Sequence, residues 1–178
     1  GYNPIDGGNY FKGAIDEVEI YDGALDATQI ASLFAAQASV PVYPPGVVAQ
    51  YNFNGNAYDE TTFGNHAKAV DVEYVPDRFG YGHSAAAFNG TSSTVTADNS
   101  KQLNGPTTTV SFWINPNALP ANGESYIASF GGWQQRWKIS LPTHGKMVWT
   151  TNHSSGISDM DAGGGHELVP GQWTHAVF

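Results

Sequence analysis

The run A-I-D-E-V-E-I-Y, Ala14 to Tyr21, alternates apolar and acidic side chains with the two-residue period of a half-buried strand. That spacing predicts Asp16, Val18 and Ile20 on one face and Glu17, Glu19 and Tyr21 on the other. A turn follows, and then the period changes. Asp26 is placed to cap a helix and Gln29 takes the capping-box position three residues later. Ile30, Leu33 and Phe34 then recur at helical spacing through Ala35 and Ala36, predicting two to three turns. The stretch Ala38 to Gly46 carries the prolines of an extended linker and separates this strand and helix from everything after it.

Beyond the linker, short β-type runs alternate with turn clusters. The runs are Val47–Phe53, Ala85–Phe88, Ser93–Ala97, Thr107–Ile114, Tyr126–Phe130, Trp137–Leu141, Met147–Thr151 and Trp173–Phe178. Asn54-Gly55, Asn89-Gly90, Asn104-Gly105 and His144-Gly145 punctuate them. The expected fold is therefore all-β, a two-sheet antiparallel sandwich with one short helix. Composition agrees: the 178 residues include 21 Gly and 10 Pro, with 13% aromatic and only 13% charged residues. Seven basic against sixteen acidic residues give a formal charge of −9, which repels nucleic-acid backbones and leaves carboxylates for a hard cation. The absence of cysteine excludes disulfides and thiolate metal sites. No apolar run is long enough to span a bilayer, and Gly1-Tyr2-Asn3-Pro4 is no signal sequence, so a secreted or cell-surface fragment is the expected context.

Several ordered segments carry a resemblance. V-V-A-Q-Y-N-F-N-G-N-A-Y-D-E-T-T-F-G-N-H-A (47–67), D-R-F-G-Y-G-H-S-A-A-A-F-N-G-T-S-S-T-V (77–95), V-S-F-W-I-N-P (110–116) and W-T-H-A-V (173–177) resemble bacterial laminin G-like, concanavalin A-like jelly-roll modules. Tyr10 to Phe34 resembles the same family's closing strand and helix, which lie beside its opening strand. In this chain the closing segment comes first. The division is thus 1–37, a terminal strand and helix; 38–46, the linker; and 47–178, the opening and central strands. Between Phe178 and Gly1 the family would place further strands, on the order of 30 residues. A window through tandem repeats, a circular permutation, or completion of one copy by its neighbour would each produce this order.

The resemblance implies an extracellular recognition or adhesion module that binds a glycan or other cell-surface ligand and is braced by calcium. Asp16 matches an aspartate that binds calcium in related sandwiches. Asn54, Asn56, Asp59 and the Gly90 carbonyl are the expected remaining ligands, set against the plainer reading that these residues satisfy turn backbone. Trp133, Trp137 and Trp149 are the expected sugar-stacking residues, whereas Trp113 and Trp173 match core positions. A structural subunit that polymerises with copies of itself by strand exchange is the competing reading. Catalysis finds little support. Glu17 and Glu19 alternate as in laminarinase-type strands, but the middle aspartate is missing, and surface charge accounts for them. Gly82-His83-Ser84 lacks the second glycine of a nucleophile elbow. The histidines have no metal-ligand spacing, and Ser154 to Gly165 reads as a solvated acidic loop.

Overall fold

The computed structural model describes residues 8–36, 46–131 and 136–178, so the linker prolines and Trp133 lie outside the described residues. The strand predicted at Ala14–Tyr21 extends to Lys12–Tyr21 (β1) and is followed by the helix Ala27–Ala36 (α1). The capping box forms as the sequence predicts. The Gln29 amide donates to Asp26 Oδ1 and the Asp26 amide to Gln29 Oε1, both at 2.8 Å. Asp26→Ala is expected to cost about 1 kcal/mol. A thermal melt should show this as a fall of about 2–4 °C.

The later strands are β2 (Val47–Tyr51), β3 (Ala67–Val70), β4 (Glu73–Val75), β5 (Ala85–Asn89), β6 (Thr94–Ala97), β7 (Thr109–Pro116), β8 (Glu124–Phe130), β9 (Trp137–Pro142), β10 (Val148–His153), β11 (Gly156–Asp161) and β12 (Thr174–Val177). They form two large antiparallel sheets, β12-β7-β1-β5-β4 with β2 also on β1, and β11-β10-β9-β8; β3 and β6 pair separately. One apolar cluster joins the large sheets. Val110, Phe112 and Ile114 of the first meet Ile127, Trp137, Ile139 and Leu141 of the second. The all-β sandwich is therefore as the sequence predicts, with β3 and β6 as a small addition.

The strand that precedes the linker sits at the centre of the larger sheet. One edge of β1 pairs with β7; its other edge pairs with β5 over Lys12–Ile15 and with β2 over Val18–Tyr21. β1 thus lies beside β2 within one chain, the adjacency that the resemblance implies for these two segments. β1 shares a sheet with strands that follow the linker.

Face assignment along β1 departs from simple alternation. Asp16 opposes Trp113 and Glu19 opposes Ser111, so Glu17 and Val18 together face Phe112 in a β-bulge. Glu17 adopts φ 48°, left-handed and costly for a side-chain-bearing residue. The bulge turns Asp16 away from Val18 and Ile20. Ile15, Val18 and Ile20 pack into the core, whereas Asp16, Glu19 and Tyr21 lie on the outer face. Glu19 is not surface charge: it is 3% exposed and accepts a hydrogen bond from Tyr21 Oη at 2.7 Å. α1 covers one end of that outer face, where Leu33 packs with Tyr21 and Val47.

The predicted acidic loop is also corrected. Gly156–Asp161 is an edge strand paired along its length with β10. All six residues are exposed, with Ile157 and Met160 on opposite faces, so no two-residue period marks it.

Candidate functional site

Side chains from four segments of the chain build a largely buried charged cluster on the outer face of the large sheet. The bulge presents Asp16 and Glu17, β7 contributes Trp113 and β12 contributes His175, the cross-strand partner of Trp113. Over them lies the β4–β5 connection. Asp77 Oδ1 accepts the amides of Phe79 (2.9 Å) and Tyr81 (2.8 Å), and the Asp77 amide donates to the Tyr81 carbonyl. Gly80, at φ +86°, allows the chain to turn there. This Asx-type turn drives Arg78 inward and leaves Phe79 and Tyr81 outside.

Arg78 is the hub. Its side chain is 6% exposed, with Nη1 at 2.7 Å from Glu17 Oε2 and 3.4 Å from Asp16 Oδ2. The guanidinium lies over the Phe79 ring at 4.2 Å and the Trp113 ring at 4.7 Å. One cation serves two carboxylates, so one acid remains uncompensated. Burial, followed by repulsion from Glu17, raises the Asp16 pKa to about 8, so it holds its proton at neutral pH. Burial raises Glu17 as well, against the pull of Arg78. His175 is lowered to about 4 by burial and by Arg78, so its ring is neutral. Its Nε2 lies 2.9 Å from Ser111 Oγ. Ser111 is 0% exposed, so no substrate can reach this pair, which is a packing contact rather than a nucleophile and base.

An aromatic surface rims the cluster. Phe34 of α1 lies 6.0 Å from Trp113 and 5.7 Å from His175 while remaining 53% exposed. Phe79 and Tyr81, 6.3 Å apart, are 56% and 69% exposed. Trp113 is thus half-buried on the outer face, and Trp173 is also half-buried, which corrects their expected core positions.

The predicted stacking tryptophans lie elsewhere. Trp137 is 6% exposed and stacks on Trp149 at 4.9 Å and 13°; Trp149 stacks in turn on Phe178, and Phe178 on Phe112. This column of rings crosses from one sheet to the other, so the faces expected to hold sugar are occupied by core neighbours. Trp133 is outside the described residues.

The five expected calcium ligands do not fit one coordination sphere. A Cβ on Gly90 would fall 2.6 Å from that of Lys12. Four residues of extended strand separate Lys12 from Asp16, about 13 Å. Ligands of one calcium ion lie about 2.3–2.6 Å from it. Both Asp59 oxygens accept hydrogen bonds, from the Gln50, Thr61 and Asn65 amides and the Thr61 hydroxyl. Asn56 bonds the Tyr58 amide and the Asn54 carbonyl. Asn56 and Asp59 thus satisfy turn backbone in this structure. Among the described residues no three His, Asp or Glu side chains gather into a metal-holding group. No helix among them is long and apolar enough to cross a membrane.

Asp16 stands out in the sequence, whereas its partner Arg78 does not. D-R-F-G-Y carried the available signal: an aspartate two residues before an amide it can cap, then a glycine.

A laminin G-type family model, described as the concanavalin A-like lectin/glucanases superfamily, matches residues 89–178, half of the chain. No curated protein and no solved structure matches.

Proposed function

The chain belongs to the concanavalin A-like lectin/glucanases superfamily, and from that premise we propose that it is a non-catalytic extracellular recognition module that binds carbohydrate across Phe34, Phe79 and Tyr81. The observation that carries this reading is the set of exposed rings fixed around a buried guanidinium. Pyranose rings pack their apolar faces on aromatic side chains, and a rigid platform loses little entropy on binding. The Asp77 hydrogen bonds hold two of these rings, and α1 carries the third.

The acidic residues favour binding over hydrolysis. Glycosidase chemistry needs two carboxyl groups facing the scissile bond. Glu17 is engaged by Arg78 and Glu19 by the Tyr21 hydroxyl, and Glu19 and Asp16 are buried. The position of β1 within its own sheet favours a self-contained module over a subunit completed by its neighbour.

Affinity electrophoresis through gels containing soluble β-glucans or other polysaccharides tests the reading. At least one polymer is expected to retard the protein. The double variant Phe79→Ala, Tyr81→Ala should weaken that retardation at least tenfold while lowering the melting temperature by no more than about 2–4 °C, the share of the lost Arg78–Phe79 contact. Equal retardation of the variant and the parent would remove the assignment.

A further inference from the structure

We propose that the space between the two large sheets is a second binding site, which takes a small amphiphile with an aliphatic tail and an uncharged or cationic head. Protein interiors are close-packed and hold few voids larger than a water molecule. Here a cavity of about 400 Å³ opens between the sheets. That is within the range of small-molecule sites and between two and three times the roughly 150 Å³ apolar cavity that takes up benzene, which sets the tail at about ten to twelve carbons.

The walls define the tail. Ile15, Val18 and Ile20 line one side from β1, and Ile127 and Trp137 line the other from β8 and β9. Tyr51 contributes its ring, but its hydroxyl is committed to the Asn65 carbonyl at 2.6 Å. Small side chains keep the space open. Ala67, Ala97 and Ala128 all line it, and Ala67 and Ala97 are cross-strand partners in the β3–β6 pair. Leucine or valine at these positions would fill part of the space.

The mouth defines the head. Thr96, Asp98 and Asn99 line the cavity and are exposed on one side, with half-buried Ser129 on the other. These groups can hydrogen-bond a neutral polar head. The Asp98 carboxylate and the formal charge of −9 attract a cationic head and repel a carboxylate or phosphate. The site lies on the core side of β1, opposite the Arg78 cluster, so it stands or falls separately from the carbohydrate platform.

Isothermal titration of the full chain is the test, using decyltrimethylammonium, tetraethylene glycol monodecyl ether and decanoate, each below its micellar concentration at pH 7. The first two are expected to bind once per chain, and decanoate at least tenfold more weakly. Ala97→Trp, which fills the mouth, should weaken binding at least tenfold; Ala128→Leu is the milder filling variant if the first does not fold. Asp98→Asn should narrow the gap between decanoate and the neutral ether. The Phe79→Ala, Tyr81→Ala variant should bind all three as the parent does. Absence of saturable heat, equal affinity for decanoate, or full binding by the filled variants would overturn the proposal. So would sedimentation showing a dimer that Ala97→Trp dissociates, because a second copy would then occupy the space.

Discussion

Arg78→Ala is expected to lower the melting temperature by about 6–12 °C at pH 7. This corresponds to about 3 kcal/mol at 2–4 °C per kcal/mol for a chain of this size. The magnitude follows from what remains. Without the guanidinium, Glu17 must either stay ionised beside Asp16 in a largely buried site or take up a proton. Protonating a carboxyl at pH 7 from an ordinary pKa near 4.3 costs about 3.7 kcal/mol, and breaking a buried ion pair costs about 3–5 kcal/mol. The Glu17 side chain retains 25% exposure, which places the expectation at the lower end. Loss of the contacts over Phe79 and Trp113 adds to it. If this account is right, Glu17→Gln in the Arg78→Ala background restores most of the loss. A fall of less than 2 °C in the single variant would sink it.

Stability is also expected to decrease as pH rises from 6.5 to 9. The folded pKa of Asp16, about 8, lies above its ordinary value of 3.8, so the folded state holds a proton that the unfolded chain has lost. Such a group contributes stability that is fully present below the unfolded pKa and is lost as pH rises through the folded one. Over this window the loss is about 2 kcal/mol, or about 4–8 °C. Below pH 6.5, His175 acts with the opposite sign. Its folded pKa of about 4 lies under its ordinary 6.5, so its contribution is lost as pH falls between those values. Asp16 gains over that same interval, and the two nearly cancel, leaving these contributions nearly flat from about pH 4 to 6.5. Melts recorded from pH 5 to 9 check this. Asp16→Asn should flatten the alkaline limb, and a parent protein equally stable at pH 6.5 and 9 would contradict the assignment.

These expectations rest on features that differ in how plainly the sequence carried them. The strand at Ala14–Tyr21, the capping box at Asp26 and Gln29, and most later strands were legible. Short β-branched and aromatic runs set between turn residues mark strands even where both faces are buried, as in β2 and β9, and a cap has its own residue signature. The bulge was not. Most such left-handed positions advertise themselves with glycine, whereas this one is filled by Glu17, so simple alternation put Asp16 on the wrong face. β11 lacked a period because neither of its faces is buried. The tryptophans misled for a related reason: ring size says that much surface must be covered, but not by what. In Trp137 and Trp149 the cover is another ring. The residues exposed in their place, Phe79 and Tyr81, sit in a turn where composition gives no burial signal.

The central position of β1 has a kinetic consequence. Its pairing with β7 joins Asp16 to Trp113 and Tyr21 to Thr109, across nearly a hundred residues of chain. Such non-local pairing makes folding slow, because the loop must close before the contacts that reward it can form. At synthesis rates of about 5–20 residues per second, β1 waits about 5–20 s for β7 to be made. The strand that anchors the finished sheet can meet β2 and β5 earlier, but its other edge stays open until β7 arrives. Until then that edge presents unpaired backbone, which makes the interval before closure the time when this chain is most open to aggregation.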